Sequence, residues 1–438
     1  MSSLLYSWGR YPNAPQTGHA SHWRSELAAQ LDSIVREQGS TLPFGNGRSY
    51  GDSCLAASSH VVQMSSLNRF IKADWENGLI LAEAGVTLAE ILAIAVPQGW
   101  FLSVTPGTQF ATLGGAIAND VHGKNHHLRG TFGSHVLRFG LLRHGQDALT
   151  CSPSENVALF AATIGGLGLT GLIEWAEIRL IPIRSSQIDS TMVRFGGLSE
   201  FFALSAELDH QHEYSVAWID CLAKGSNTGR GVFIVGDHAR YGQQELDQRP
   251  KLRVPLTPPL SLINNLSLRA FNEAYWRVHP AQRTRQRDSY EPFFYPLDRI
   301  LHWNRIYGRK GFQQYQCVIP DAVAEVAMRE LLGAIADSGQ GSFLAVLKRC
   351  GDIASPGLLS FPLLGTSLAL DFPQKVDLDR ELFPRLDAIV REAGGRLYPA
   401  KDAHMTGGDF RQAYPAWEQL ESLRDPALNS LFWKRVIA

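Results

Sequence analysis

Three stretches rich in small residues stand out in the first part of the chain, because their residue types suit the binding of a ligand. The first is GNGRSYGD, residues 45–52. Its glycines allow a sharp turn and a close approach of the backbone to a ligand, and successive N–H groups exposed in such a turn bind anions. Arg48 would add positive charge or anchor the loop. The spacing fits a phosphate-binding loop, and it also fits an ordinary tight turn.

The second stretch runs from Pro106 to His127 and is dense in Gly, Thr, Asn and His. Small side chains leave room for a flat cofactor against the main chain, and the polar side chains offer hydrogen bonds to its heteroatoms. The histidines raise the question of a metal, since imidazole is a common ligand. His126 and His127 are adjacent, however, so they point in different directions on regular structure, and no carboxylate or cysteine at ligand spacing supports them. We therefore predict no metal site.

The third stretch, residues 166–171, matches G-x-G-x-x-G letter for letter. A dinucleotide fingerprint of this form follows a strand and opens a helix. Here the stretch precedes a run that is typical of a long strand, LIEWAEIRLIPI, and no crossover unit follows. We therefore reject a Rossmann site and predict a close-packed turn beside a cofactor.

Periodicity and capping signals indicate the elements that position these stretches. Apolar spacing predicts a helix over residues 22–40, and Thr87 with Glu90 forms a capping box that should open another helix. After about residue 186, short strands with period-2 patterning alternate with helices. This pattern predicts an antiparallel sheet with helices on one face, built from two similar halves. The predicted fold class is α+β.

Composition and charge narrow the class of protein. The chain has 438 residues, 45% of them hydrophobic and 19% charged, which predicts two or three globular domains. The formal net charge of −1 gives no electrostatic case for nucleic acid. The N-terminus lacks the features of a secretory signal, no run of about 18 apolar residues predicts a membrane span, and the five cysteines are scattered. We expect a cytoplasmic protein with reduced thiols.

The stretch from Arg249 to Asp288 is unusual, because it combines prolines, the apolar run LSLINNLSL and many arginines. One interpretation is a long solvated loop that contains a helix. The other is a lid or a membrane-surface segment, since basic side chains beside apolar ones suit an anionic lipid headgroup. Under the second interpretation the protein would make peripheral contact with the inner membrane.

The order of the three stretches resembles the FAD-binding domain of the vanillyl-alcohol-oxidase-type flavoproteins, the PCMH-type domain. A narrower resemblance, to the decaprenylphosphoryl-β-D-ribose 2-oxidase group, is carried by HGKNHHLRGTFGSHV, YPLDRILHWNRIYGRKGFQQYQCVIP, LALDFP and RLYPAKDAHMTGGDFRQAYP. This likeness covers nearly the whole chain. It implies a two-part FAD-binding domain, residues 1–186 completed by 396–438, and a substrate or cap domain over residues 187–395.

The resemblance implies that FAD is the cofactor and indicates which residues bind it. Ser49 and Tyr50 would wrap the pyrophosphate, and the run from Gly114 to His122 would line the adenosine and the isoalloxazine. Arg48 stands where some relatives carry a histidine that tethers FAD, so we predict non-covalent FAD. The complete predicted set is Gly45, Asn46, Gly47, Arg48, Ser49, Tyr50, Gly51, Pro106, Gly107, Thr108, Gly114, Gly115, Ala118, Asn119, Val121, His122, Gly123, Asn125 and Ile173.

The resemblance also implies an oxidation in which a hydride leaves the C2 carbon of a sugar for the flavin and a base takes the hydroxyl proton. Lys401 matches the family's active-site lysine and would act as the base, or stay charged and orient the hydroxyl. Gln316 and Lys348 match substrate-site positions and would bind hydroxyls and a phosphate. His122 and Tyr295 are further catalytic candidates, although a histidine or tyrosine is often simply packed in a core.

One departure from the family and two competing functions remain open. Ser367 and Ala369 stand where relatives often carry Asn and Cys, which changes the wall of the substrate site. The first expected substrate is a polyprenyl-phosphoryl pentose, whose ketone product would pass to a separate NAD(P)H-dependent short-chain reductase. The alternatives are an oxidase of a soluble sugar, alditol or aldonolactone, and a flavin-binding protein without catalysis.

Overall fold

The computed structural model describes residues 4–247, 249 and 251–438. Its N-terminal part contains a small mixed sheet in the order β1-β2-β4-β3. The helix α1 (Leu27–Gln38) packs Leu27, Leu31 and Ile34 into a core beside this sheet, which confirms the helix predicted over residues 22–40. The strands are β1 (Leu4–Leu5), β2 (Gln16–Ala20), β3 (Pro43–Phe44) and β4 (His60–Gln63).

A second, antiparallel sheet follows in the order β5-β6-β10-β8-β9, with β7 also paired to β10. The predicted capping box is present: Thr87 Oγ1 accepts a hydrogen bond from the Glu90 N–H, and the Glu90 carboxylate accepts one from the Thr87 N–H. The strands are β5 (Phe70–Asp74), β6 (Leu79–Glu83), β7 (Trp100–Leu102), β8 (Val136–Leu142), β9 (Leu149–Cys151) and β10 (Leu172–Pro182). The helices are α2 (Leu88–Ala95), α3 (Leu113–Ala118), α4 (His126–Arg129) and α5 (Val157–Thr163).

The middle of the chain builds an eight-stranded antiparallel sheet in the order β15-β11-β13-β12-β18-β19-β17-β20, called the cap sheet below. A parallel pair, β14 with β16, stands beside it. The strands are β11 (Gln187–Phe195), β12 (Tyr214–Ile219), β13 (Gly231–His238), β14 (Leu252–Arg253), β15 (Thr284–Ser289), β16 (Ile300–Leu301), β17 (Phe312–Pro320), β18 (Ala345–Cys350), β19 (Gly365–Pro373) and β20 (Arg396–Leu397). The helices are α6 (Leu198–Leu208), α7 (Asn265–Val278), α8 (Tyr290–Phe294), α9 (Ala324–Ser338) and α10 (Phe383–Glu392).

The cap sheet repeats one pattern twice. In each half a strand, a helix and two strands follow one another, and the strands pair as β11-β13-β12 in the first half and β17-β19-β18 in the second. The halves meet where β12 pairs with β18. This arrangement confirms the predicted antiparallel sheet.

Alternating side chains divide the cap sheet into two faces, as period 2 requires. One face packs against α6 and α9 and contributes Ala217, Phe233, Leu347 and Leu368 to the core. The intervening residues Val216, Ile234, Val346 and Ala369 face a cavity instead. Helices therefore cover one face, as the sequence pattern predicts, and leave the other face free for a ligand.

The C-terminal segment contains α11 (Gly407–Ala413), α12 (Trp417–Leu423) and α13 (Leu431–Ile437). Its later part packs beside the N-terminal sheet, where the Asn429 N–H donates to the Thr41 carbonyl and the Thr41 N–H donates to the Ala427 carbonyl. β20, which begins the predicted C-terminal unit, still pairs with β17 of the cap sheet. The predicted domain boundaries stay a prediction, and the chain crosses between the two regions close to residue 397.

The stretch predicted as a loop with a helix contains α7, flanked by β14 and β15. Pro250 lies outside the described residues. Among the residues that the structure describes, no helix is long and apolar enough to cross a membrane.

Candidate active site

A cavity of about 750 Å³ lies between the N-terminal region and the free face of the cap sheet. All three small-residue stretches line it. From the third stretch, Leu167, Gly168 and Gly171 contribute, as expected of a turn beside a cofactor. The predicted cofactor residues in the wall are Gly45, Asn46, Gly47, Arg48, Ser49, Tyr50, Pro106, Gly107, Thr108, Gly114, Gly115, Ala118, Asn119, Val121, His122, Gly123 and Ile173.

Several polar atoms in the cavity wall are buried without a partner in the part of the chain that the structure describes: Ser53 Oγ, Arg48 Nε and His122 Nδ1. Buried polar groups normally have hydrogen-bond partners, so orphaned atoms at a cavity point to a ligand. The volume lies within the usual range for cofactor sites. Small residues along one wall and orphaned polar atoms beside them fit a flat, heteroatom-rich cofactor such as FAD.

Arg48 occupies a fixed position in the first stretch. Its guanidinium carbon lies 4.2 Å from the centre of the Trp8 ring and 5.2 Å from that of Phe110, in cation–π contact with both. Asp298, which also lines the cavity, accepts hydrogen bonds from Thr108 Oγ1 and from the backbone N–H of Gln109. Burial raises the pKa of Asp298 to about 6.

Lys401 lines the cavity with its ammonium group 3.7 Å from the centre of the Tyr50 ring. Burial, and to a smaller extent the nearby Lys348 cation, lower the pKa of Lys401 to about 7, while Asp371 opposes the shift. Burial raises the pKa of Asp371, against a hydrogen bond from Gln314 and the attraction of Lys401. The site therefore holds an amine that can lose its proton near neutral pH.

Gln316 and His122 form a polar pair in the cavity wall, with Gln316 Nε2 3.1 Å from His122 Nε2. An amide nitrogen donates, so His122 Nε2 accepts, and the remaining ring proton sits on the unpartnered Nδ1. Burial, followed by the charges of Lys348, His126 and Lys401, lowers the pKa of His122 well below its usual value. The imidazole is therefore neutral, and its single N–H, at Nδ1, has no partner among the described residues.

Four predicted site residues lie outside the cavity wall, each for a structural reason. Gly51 allows close packing, because a Cβ there would lie 1.6 Å from the Asp402 carbonyl oxygen. Asn125 donates hydrogen bonds to Ser103 O and Glu213 instead. The Tyr295 hydroxyl is buried against Thr105 Oγ1, 2.6 Å away. Ser367 is on the cavity face of β19 but is fully buried.

The histidines that raised the question of a metal are used as tethers to the cap region. His126 Nδ1 accepts a hydrogen bond from the backbone N–H of Gly351, and His127 Nε2 bonds to the His212 carbonyl. These two histidines therefore have partners within the protein, so their presence in the second stretch does not require a ligand.

Sequence reasoning missed several residues of the site, among them Asp371, Gln314, Asp298 and Tyr398. Tyr398 lines the cavity and donates from its hydroxyl to the Asn119 carbonyl. Asp371 lies in LALDFP, one of the runs that carry the resemblance, so its place in the sequence was the available signal. The residues that adjoin Asp371 in sequence give no sign of a charged site. The side chains that act on its carboxylate, Gln314 and Lys401, come from β17 and from the C-terminal segment.

A half-buried arginine, Arg435, joins the loop that carries Lys401 to the loop that carries Tyr50. Arg435, in α13, bonds to Asp52 at 2.9 Å and to Asp402 at 2.8 Å, and also to the Met405 carbonyl. Both carboxylates are nearly inaccessible, at 4% and 3% exposure. The two loops are also joined directly, because the Tyr50 N–H donates a hydrogen bond to the Ala400 carbonyl. The C-terminal helix thus fixes Lys401 relative to the first small-residue stretch.

Comparison with known proteins identifies the family. Residues 23–152 match a family model described as an FAD binding domain. Over 439 aligned residues the chain is 34% identical to the decaprenylphosphoryl-β-D-ribose oxidase of Mycolicibacterium smegmatis, covering 96% of this chain and 94% of the relative. The chain belongs to the decaprenylphosphoryl-β-D-ribose oxidase family. The expected FAD cofactor and the expected class, an FAD-dependent oxidoreductase acting on CH–OH groups, are thereby confirmed.

Two further relatives match most of the chain. An uncharacterised protein of Streptomyces coelicolor is 33% identical over 77% of this chain and 95% of its own length. An L-gulonolactone oxidase of Scyliorhinus torazame is 29% identical over 91% of this chain and 88% of its own length. Each of these three alignments extends well beyond residues 23–152, the segment that matches the FAD-binding model.

The bonds of Arg435 to two buried carboxylates predict a large effect on stability. Replacing Arg435 by Met leaves the buried carboxylate of Asp52 without a cation and that of Asp402 with only His404 nearby, which should lower the free energy of unfolding by about 3 kcal/mol. Urea denaturation monitored by tryptophan fluorescence measures the change. Arg329→Met is the matched control, because its pair with Glu325 is exposed and should contribute at most about 0.5 kcal/mol. Equal midpoints for the two variants would contradict the prediction.

Proposed function

We propose that the protein oxidises a secondary alcohol, the C2 hydroxyl, of a pentose carried on a polyprenyl phosphate. One observation carries the proposal: the cavity face of the cap sheet changes from polar to apolar along one direction. A substrate with a polar head and a hydrocarbon tail matches that change, since each part would meet side chains of its own kind.

The polar end of this face lies on β17 and β19. Gln314 and Gln316 line the cavity from β17, and Asp371 stands opposite Gln314 on β19. Amide groups both donate and accept, which suits the hydroxyls of a sugar. Lys401 reaches the same region from the C-terminal segment.

The apolar end lies across β18, β12 and β13, where the register places Val346 beside Trp218. The wall there is built of side chains that offer almost no hydrogen bonds, so it suits a hydrocarbon chain and gives little to a free sugar. Its residues are Val216, Trp218, Ile234, Phe271, Tyr275, Phe343, Leu344 and Val346.

Lys348 provides the charge that a phosphate would need. It lies on β18, two positions from Val346, on the same face and in the cavity wall. Burial lowers its pKa, and a bound phosphate would draw the proton back because the ion pair favours the charged amine. Lys348 would therefore bind the phosphate that joins the sugar to the lipid.

The chemistry that we propose divides between cofactor and protein. The chemistry that bound FAD would supply is a two-electron acceptor for the hydride that leaves the C2 carbon. Lys401 takes the hydroxyl proton as general base, which its lowered pKa permits near neutral pH. Gln316 orients the hydroxyl, while the neutral His122 keeps the Gln316 amide in place and donates from Nδ1 to the bound ligand. The ketone product is a substrate for a separate NAD(P)H-dependent reductase, which would complete an epimerisation.

A soluble sugar or aldonolactone is the second candidate substrate, and the likeness to an L-gulonolactone oxidase over 91% of the chain favours it. It would use the polar end of the cavity and leave the apolar wall without a partner. A flavin-binding role without catalysis would leave the lowered pKa of Lys401 without a use. The two enzymatic candidates differ in what the substrate must carry, and this makes them separable.

The choice of substrate tests the proposed function. Under anaerobic conditions, polyprenyl-phosphoryl ribose should bleach the flavin rapidly, whereas free ribose and L-gulonolactone should bleach it slowly or not at all. The double variant Trp218→Ser/Val346→Ser should raise KM for the prenyl-linked sugar by about tenfold, since two apolar contacts are lost, with little change in kcat. Rapid bleaching by L-gulonolactone alone would favour the second candidate.

Lys401→Met should slow flavin reduction by the prenyl-linked sugar by a factor on the order of 10² to 10⁴, the usual contribution of a general base. Lys310→Met is the matched control, because Lys310 is exposed and outside the cavity wall. Wild-type rates in the Lys401 variant would refute its proposed role.

The rate of flavin reduction should depend on pH. A base must be neutral to accept a proton, so the rate of flavin reduction should rise with pH through the pKa of Lys401, about 7. Asp371→Asn removes an attraction that raises this pKa and should move the rise to lower pH. Lys348→Met removes a repulsion that lowers it and should move the rise to higher pH, each by about one unit. Stopped-flow reduction across pH measures both shifts, and shifts of the same sign would contradict this account.

The link between protein and cofactor can also be tested. Arginine cannot form the bond that a histidine makes to the flavin, and Arg48 is held between Trp8 and Phe110. Heat or acid precipitation should therefore release all FAD into the supernatant, as measured by flavin absorbance. Colour that stays with the precipitated protein would overturn the proposal of non-covalent FAD.

A further inference from the structure

Large apolar side chains are exposed in one part of the chain far more than elsewhere. Five leucines within residues 252–266 are each more than 60% exposed: Leu252 70%, Leu256 78%, Leu260 76%, Leu262 64% and Leu266 80%. Single exposed apolar residues are ordinary, but a dense group of them marks a surface that binds something.

The helix α7 shows the same feature in its pattern. Its inner side contains the buried Leu268 and the cavity residues Phe271 and Tyr275. Its outer side contains a second apolar stripe at four-residue spacing, all of it exposed: Leu266, Ala270, Ala274 and Val278. A solvent-facing helix surface is normally polar. Apolar residues on both sides indicate that the outer side is covered when the protein works.

Charge identifies what covers it. Residues 249–287 contain eight Lys or Arg residues and one acidic residue, Glu273, a net charge of +7 in a chain whose net charge is −1. Four of the arginines pair with acidic residues of the chain: Arg249, Arg277, Arg283 and Arg287. Lys251, Arg253, Arg269 and Arg285 have no ion-pair partner within the described residues and are exposed.

The surface also adjoins the cavity. Phe271 and Tyr275 line the apolar part of the cavity from α7, and β14 pairs with β16, whose Ile300 and Leu301 belong to the cavity wall. Leu266 and the outer stripe therefore belong to the same helix as two residues of the apolar wall, and Leu252 belongs to the strand that pairs with β16.

We propose that residues 249 and 251–287, called the basic apolar surface, dock the protein on a bilayer that contains anionic lipids, with the apolar wall of the cavity next to the membrane. Exposed leucines and the outer stripe of α7 would enter the acyl boundary, and the unpaired cations would contact lipid headgroups. The inference rests on the proposed function in one respect: a prenyl-linked substrate resides in a bilayer and must pass from there to Lys401.

Vesicle binding by the full-length holoenzyme tests the proposal without any substrate. The protein should sediment with vesicles of equal parts phosphatidylglycerol and phosphatidylcholine, much less with phosphatidylcholine alone, and less as salt is raised. Leu262→Ser/Leu266→Ser should weaken binding by about tenfold or more, and Arg269→Gln/Arg285→Gln should reduce only the preference for anionic vesicles. The control Val326→Ser/Val376→Ser removes two exposed apolar residues elsewhere and should bind as the wild type does.

Two results would overturn the inference. Wild-type protein that stays in the supernatant with anionic vesicles would do so, as would equal binding by the leucine variant and its control. Self-association that the leucine variant abolishes, without vesicle binding, would show instead that a second copy of the chain covers this surface.

Activity separates this inference from the proposed function. The leucine variant should oxidise vesicle-borne prenyl-linked sugar more slowly and a short-chain, water-soluble analogue at the wild-type rate. Vesicle binding by a protein that no prenyl-linked sugar reduces would refute the proposed substrate and keep the docking surface. Rapid oxidation of prenyl-linked sugar in detergent, by a protein that does not bind vesicles, would refute the docking surface and keep the proposed substrate.

Discussion

The chemistry of the cavity depends on two lysines in its wall, Lys348 and Lys401, which are largely shielded from water, and on the carboxylate of Asp371 beside Lys401. Removing an ammonium group from water is costly, and such a group either pairs with a charge or loses its proton. Lys348 comes from β18, Asp371 from β19 and Lys401 from the C-terminal segment, so the balance exists only when these three parts of the chain are assembled. The reactivity proposed for Lys401 is therefore a property of the assembled fold.

Rigid support behind the cavity maintains this balance. Arg435 bonds to the carboxylates beside both loops, while the Tyr50 ring lies against the Lys401 ammonium group. A flexible lysine would reach water and regain its ordinary pKa. Fixing the backbone on both sides keeps it within the cavity, where desolvation acts.

Local signals predicted the fold well, and the site only in part. The Thr87 capping box and the alternation of the cap strands are encoded within a few residues, and both were confirmed. The three small-residue stretches predicted much of the lining of the cavity, because glycine content can be read from a few neighbouring residues. Asp371 was missed and Asn125 was assigned to the ligand, because their partners, Lys401 and Glu213, are distant in sequence. Tertiary pairing decides which polar side chains a ligand can reach.

The two halves of the cap sheet have consequences for how substrate preference changes over time. The polar wall lies mostly on β17 and β19, in the second half, whereas much of the apolar wall lies on β12 and β13, in the first. Mutations in one repeat can thus alter the accommodated chain while the other repeat preserves the reacting end. Selection can therefore act on the apolar wall through the first half of the sheet while the side chains nearest Lys401, in the second half, stay unchanged.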